Sequence, residues 1–133
     1  MDPSQLDYAA IFVAALSTFL LGGLWYSPVL FAKAWMREAG LTEAELGKGV
    51  AKVFAGAFAC TLVAAVNLAF FLGADAGIAW GATAGALAGV GWVGMSLVTV
   101  WLFERRSGML MLIDGGYLAV AYTIMGAVIG GWP

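Results

Sequence analysis

The stretch AGIAWGATAGALAGVGWVGMSLVTVWLF, residues 76–103, carries no charged side chain. A helix needs about 20 apolar residues to cross a ~30 Å hydrocarbon core. This run is longer, so it must tilt or project beyond the bilayer. It does not alternate over about 10 residues, as a strand of a membrane barrel would. Backbone groups in lipid must be satisfied within the segment, so the stretch predicts a transmembrane helix. Working outward, three further apolar runs read the same way: residues 8–26, 50–73 and 109–131. The expected fold is an all-α integral membrane bundle of four transmembrane helices in one domain over residues 1–133. A short interfacial helix is expected after the first span, over about 28–39.

The composition supports that class. Hydrophobic residues make up 63% of the 133 and charged ones only 11%, against about a quarter charged in soluble domains. Net charge is −2 with no basic tract, so nucleic-acid binding has no electrostatic footprint. Histidine is absent, which removes the commonest metal ligand and the usual general base. No metal, cofactor or catalytic residue is expected, and the chain is not read as an enzyme. Cys60 is alone in an apolar run, so it reads as a structural thiol without a disulfide. The N-terminus MDPSQLDY has no positive region, and no small-residue cleavage pattern follows the first run. That run is read as a retained span.

The basic residues are segregated. Lys33, Arg37, Lys48 and Lys52 lie between the first two spans or in the first turn of the second, and Arg105 and Arg106 between the last two. The termini and the Gly73–Gly77 turn have none. Basic residues favour the cytoplasmic side, so both termini are expected outside. Tyr8, Trp80 and Trp132 then fall near the outer interface and Trp25, Tyr26, Trp35 and Trp101 near the inner one, the depth that amphipathic rings prefer.

The segment LWYSPVLFAKAWMREAG, residues 24–40, reads as an elbow at the charged face. Pro28 lacks a backbone donor and breaks the first span. Ser27 is expected to cap a second helix, with Pro28 in its first position. Leu30, Phe31, Trp35 and Met36 share an apolar side opposite Lys33, Arg37 and Glu38, the pattern of a helix lying on a leaflet. Gly40 is a natural stop, and Thr42-Glu43-Ala44-Glu45 is a capping-box pattern. Trp25, Tyr26, Ser27, Pro28 and Trp35 are thus candidates for an orienting elbow, or for a gate or docking surface.

Several stretches together resemble one known family. They are Gly22-Gly23-Leu24-Trp25-Tyr26-Ser27-Pro28, then Ala34-Trp35-Met36 and Leu41-Thr42-x-x-Glu45. Phe103-Glu104-Arg105-Arg106, Gly116-Tyr117 and Met125-Gly126 extend the likeness into the second half. The chain resembles the small bacterial four-span membrane proteins grouped as domain of unknown function 1761. The resemblance implies four spans and a bacterial inner (plasma) membrane, and it implies no activity. An amide is more usual in that family where this chain has Asp114.

Asp114 is the outstanding polar residue. It sits about one and a half turns into the fourth span, roughly 8–10 Å below the interface at 1.5 Å per residue. An intramembrane carboxylate costs about 2.5–3.5 kcal/mol on insertion scales and faces a bundle interior or water. Two roles fit: a proton-coupled or polar-substrate site, or structural pairing with a hydroxyl, Arg105 or Arg106. Thr18, Thr61, Ser96 and Thr99 are its expected neighbours by depth. Asn67 lies about 10–15 Å higher and is expected to bond across helices instead.

Gly77, Gly81, Gly85 and Gly89 recur at every fourth position. Such a stripe lets helix backbones approach closely. Gly115, Ala119, Thr123, Ala127 and Gly131 offer a partner stripe in the fourth span. A homo-oligomer in the lipid bilayer is expected. Gly85-x-x-x-Gly89-x-Gly91 lacks the strand, Lys and acidic residue of a nucleotide loop and is set aside. Trp92 fills a glycine gap or forms an aromatic wall for an apolar ligand. Two functions follow as expectations: a small oligomeric transport or permeation unit around Asp114, or an accessory protein docking a partner at its charged face.

Overall fold

A computed structural model describes all of residues 1–133, and its regular structure is all helical, without strands. The helices are α1 (Tyr8–Trp25), α2 (Ala32–Ala39), α3 (Glu43–Leu46), α4 (Val50–Leu72), α5 (Gly77–Phe103) and α6 (Gly108–Gly131). A 3₁₀ turn at Pro3–Gln5 precedes them. Helices α1, α4, α5 and α6 are long and apolar enough to cross a membrane. Each end lies within one residue of the sequence reading.

Local chemistry sets the boundaries. The Asp7 side chain accepts the Ala10 N–H at 3.0 Å, and Ser107 accepts that of Leu110 at 3.1 Å. Both satisfy first-turn donors that the helix itself leaves free. Gly40 ends α2 with φ +70°, a left-handed conformation that side chains disfavour. Thr42 and Glu45 form the expected reciprocal capping box at the start of α3.

The elbow departs from expectation at its first turn. Helix α2 begins at Ala32, not Pro28, and its N-cap Phe31 contributes no side-chain bond. The Ser27 hydroxyl donates to the Leu24 carbonyl at 2.6 Å. The Ser27 carbonyl accepts the N–H groups of Leu30 and Ala32. Ser27 therefore closes α1 and leaves 28–31 as a turn, because its hydroxyl is already engaged by the preceding helix.

The tightest packing joins α5 to α6. A Cβ built on Gly81 would collide with the Gly126 carbonyl, and one on Gly85 with that of Tyr122. One on Gly89 would lie 2.8 Å from the Tyr122 Cβ and 3.0 Å from the Leu118 carbonyl. Backbone lies on backbone, with Cα hydrogens over carbonyl oxygens, a contact that only glycine permits. The α6 side of the seam differs from the expected stripe. Ala119 and Thr123 take part and Gly131 lies against the Ile78 side chain, but Gly126 and Gly130 make the backbone contacts, and Gly115 meets nothing within 4 Å. A four-residue step overshoots the 3.6-residue turn, so a straight stripe drifts round the helix. The seam corrects the drift with a three-residue step from Thr123 to Gly126.

The buried core sits towards the end that carries the termini. Leu6, Ile11, Ala14, Leu68, Ala84 and Met125 belong to it. At the charged end α4 and α5 are less covered. Residues 50–60 of α4 are exposed apart from half-buried Phe58, and α5 is largely exposed beyond Met95. Phe12 and Phe19 of α1 hold α4 through edge contacts with Phe58 at 5.8 and 5.5 Å.

Helix α5 is not regular. Residues Ala88–Gly94 form a π-helical segment. Glycine suits this geometry: a Cβ on Gly94 would lie 2.9 Å from the Gly89 carbonyl. The wider turn begins where the α6-facing stripe ends. It carries Trp92 away from the seam, so this ring is 61% exposed and does not fill a glycine gap.

Candidate functional site

The end of α1 and the start of α6 build the most elaborate polar constellation in the molecule. The Tyr26 hydroxyl donates to the Asp114 carboxylate at 2.5 Å. The Trp25 indole N–H donates to the Ile113 carbonyl at 2.9 Å. The Tyr117 hydroxyl donates to the Thr18 carbonyl at 3.0 Å. Three bonds thus tie α1 to α6 within about one turn of Asp114. The Trp25 and Tyr117 donors, which lipid would leave unsatisfied, find helix carbonyls, and the Tyr26 hydroxyl finds the carboxylate.

Apolar contacts complete the clasp. Tyr26 packs on Trp35 of α2 at 4.9 Å between ring centroids and edge-to-face on Tyr117 at 5.4 Å. Trp25 packs on Phe31 at 5.0 Å. Such pairs contribute about 0.5–1.5 kcal/mol each beyond area burial. They fix α2 against the end of the bundle. A side chain at Gly116 would lie 3.1 Å from the Trp25 ring. Gly116 therefore provides the space in which the indole sits.

Of the residues expected around Asp114, Thr18 belongs to the constellation through its carbonyl, and its hydroxyl bonds the Ala15 carbonyl. Thr61 and Thr99 bond the carbonyls of Ala57 and Met95 in their own helices. Ser96 is exposed on α5. Asn67 bonds neither Asp114 nor another helix, but the Val63 carbonyl of its own helix at 2.8 Å. A serine, threonine or asparagine in a helix reaches the preceding turn more readily than a neighbouring helix. Asp114 does not pair with arginine. Arg106 lies 3.5 Å from Glu104, and Arg105 reaches the Leu102 carbonyl.

Tyr26 was legible as an elbow residue but not as the partner of Asp114. Backbone depth alone puts short hydroxyls, not Tyr26, beside the carboxylate. A tyrosine carries its hydroxyl well beyond its own backbone position. The usable signal was the common depth of Tyr26 and Asp114 near the charged end.

No curated protein and no solved structure matches the chain. The family model described as a protein of unknown function (DUF1761) matches residues 9–130. The match runs from the second residue of α1 to the penultimate residue of α6 and takes in the whole clasp. This four-span helical chain, with its Trp-Tyr elbow fastened to Asp114, belongs to the DUF1761 family.

Proposed function

We propose that the protein is an accessory membrane subunit. It holds a charged, Trp-bearing elbow rigidly at one membrane face for another protein to dock. The observation that carries this reading is the clasp: the intramembrane carboxylate of Asp114 is engaged by Tyr26 of the elbow itself. The α5–α6 seam leaves no space for a route between those helices. The six Lys and Arg residues flank this face, which supports reading it as the cytoplasmic one.

One observation favours a second reading, transport by an oligomer. The charged-end halves of α4 and α5 are exposed, so a path lined by several copies would lie between chains. A homo-oligomer belongs to this reading, and a single-chain mass for the detergent-extracted protein would remove its basis.

Thiol accessibility separates the two. In a Cys60→Ala background, Asp114→Cys and Leu118→Cys are challenged with a charged reagent from each side of intact membranes. Leu118→Cys leaves the clasp untouched, and Glu43→Cys serves as the exposed control. The accessory reading expects the control to label from the cytoplasmic side only. Positions 114 and 118 should then react at least about tenfold more slowly, through local opening alone. Labelling at the control rate at both positions would mean that water reaches the site, and transport would replace docking.

A further inference from the structure

The π-helical segment of α5 borders an open-sided groove that is separate from the clasp. Its upper part, about 350 Å³, lies between α4 and α5 and includes Asn67, Phe71, Trp92 and Tyr122 in its lining. Its lower part, about 530 Å³, is lined by Trp92, Val93, Ser96, Leu97, Val100 and Leu118. Trp92 and Val93 belong to both parts. The two parts adjoin at Trp92 and Val93, one on the Asn67 side and one towards the charged end of α5. Either part falls in the 300–1,000 Å³ range of small-molecule sites. A π segment inside an α-helix is itself frequent at functional positions.

The lining chemistry limits the occupant. No charged residue lines either part, so a charged head at this depth would go uncompensated. The polar groups are donors with spare capacity. Tyr122 makes no side-chain hydrogen bond, and Asn67 uses one amide hydrogen on the Val63 carbonyl and keeps the other. Both residues line the upper part of the groove. The exposed Ser96 hydroxyl adds a third donor lower down. The aromatic wall is a Trp92–Phe71 edge-to-face pair at 5.2 Å. Below it, Leu97, Val100 and Leu118 form an apolar trough.

We propose that this groove binds a neutral prenyl quinone. Its flat, acceptor-bearing head lies on Trp92 between Asn67 and Tyr122, and its isoprenoid chain follows the trough. The head matches the uncharged, donor-rich lining, and the chain matches the trough and the surrounding hydrocarbon. The site is a binding site, and no electron transfer is assigned to it.

The test uses the full chain in lipid nanodiscs, titrated with a short-chain prenyl benzoquinone and followed by quenching of tryptophan fluorescence. The expected result is saturable quenching. It should weaken about tenfold or more in Asn67→Leu/Tyr122→Phe, which removes two donors. Both replacements keep apolar bulk, and Tyr122→Phe keeps the Cβ that packs on Gly89. Unfolding midpoints equal to wild type would show that the loss is not one of fold. Three results would overturn the proposal. One is quenching that rises linearly with quinone, as for simple partitioning. Another is an unchanged affinity in the double variant. The third is equal competition by a saturated phosphatidylglycerol, which would make the groove a trough for any acyl chain.

Discussion

Gly81→Ala is expected to destabilise the bundle by about 2–3 kcal/mol, the upper part of the range for overpacking. The added methyl group meets the Gly126 carbonyl, which is backbone and cannot swing aside. The gain in helix propensity, at most about 1 kcal/mol, offsets only part of this. Gly126→Ala should cost a similar amount, because its Cβ meets the Gly81 carbonyl in turn. The double variant should cost clearly less than the sum, since the first methyl already separates the two helices. Gly115→Ala is the control. Nothing lies within 4 Å of its Cβ position, so it should be neutral or stabilising by up to about 1 kcal/mol. Reversible unfolding in mixed micelles measures all four. Equal stability of Gly81→Ala and Gly115→Ala would mean that the α5–α6 seam is not closed in the bilayer.

Tyr26→Phe is expected to lower stability by about 1–2 kcal/mol while keeping both ring contacts of the elbow. The phenyl ring still packs on Trp35 and Tyr117, so the loss reports the hydroxyl and the carboxylate it leaves unpaired. Asp114→Asn retains an acceptor and should stay within about 1 kcal/mol of wild type. Asp114→Leu removes both the bond and the cost of placing a carboxylate in the span. Combining it with Tyr26→Phe should recover most of the single-variant loss. The coupling in this cycle should reach about 1.5 kcal/mol, near the largest value found between membrane helices. Trp35 emission gives an independent readout, because an elbow that lifts away exposes that ring to water. A coupling near zero would show that Asp114 does not hold the elbow, and the docking proposal would lose its support.

Much of this architecture can be read from residue order alone. The long apolar runs predict four spanning helices, because lipid offers no partner to an open backbone. The segregated Lys and Arg residues gather one chemistry at one end. Gly77, Gly81, Gly85 and Gly89 announce a close backbone approach before its partner is known. Gly40 and the Thr42–Glu45 box mark the elbow's far boundary, since caps depend only on neighbours in sequence.

Other features depended on how the helices rotate and cross. A turn holds 3.6 residues, so a shift of one position turns a side chain by about 100° onto another face. The α6 side of the seam was therefore legible as a stripe of small residues, but not in its switch to Gly126 and Gly130. The reach of Tyr26 to Asp114 joins residues 88 positions apart, and only packing of α1 on α6 brings them together. The π segment Ala88–Gly94 and the outward turn of Trp92 are likewise not announced by the glycine spacing. Sequence determined which segments enter the membrane, because that decision rests on the local match between side chains and solvent. Tertiary structure decided what Asp114 and Trp92 face, because that rests on the rotation of each helix against its neighbour.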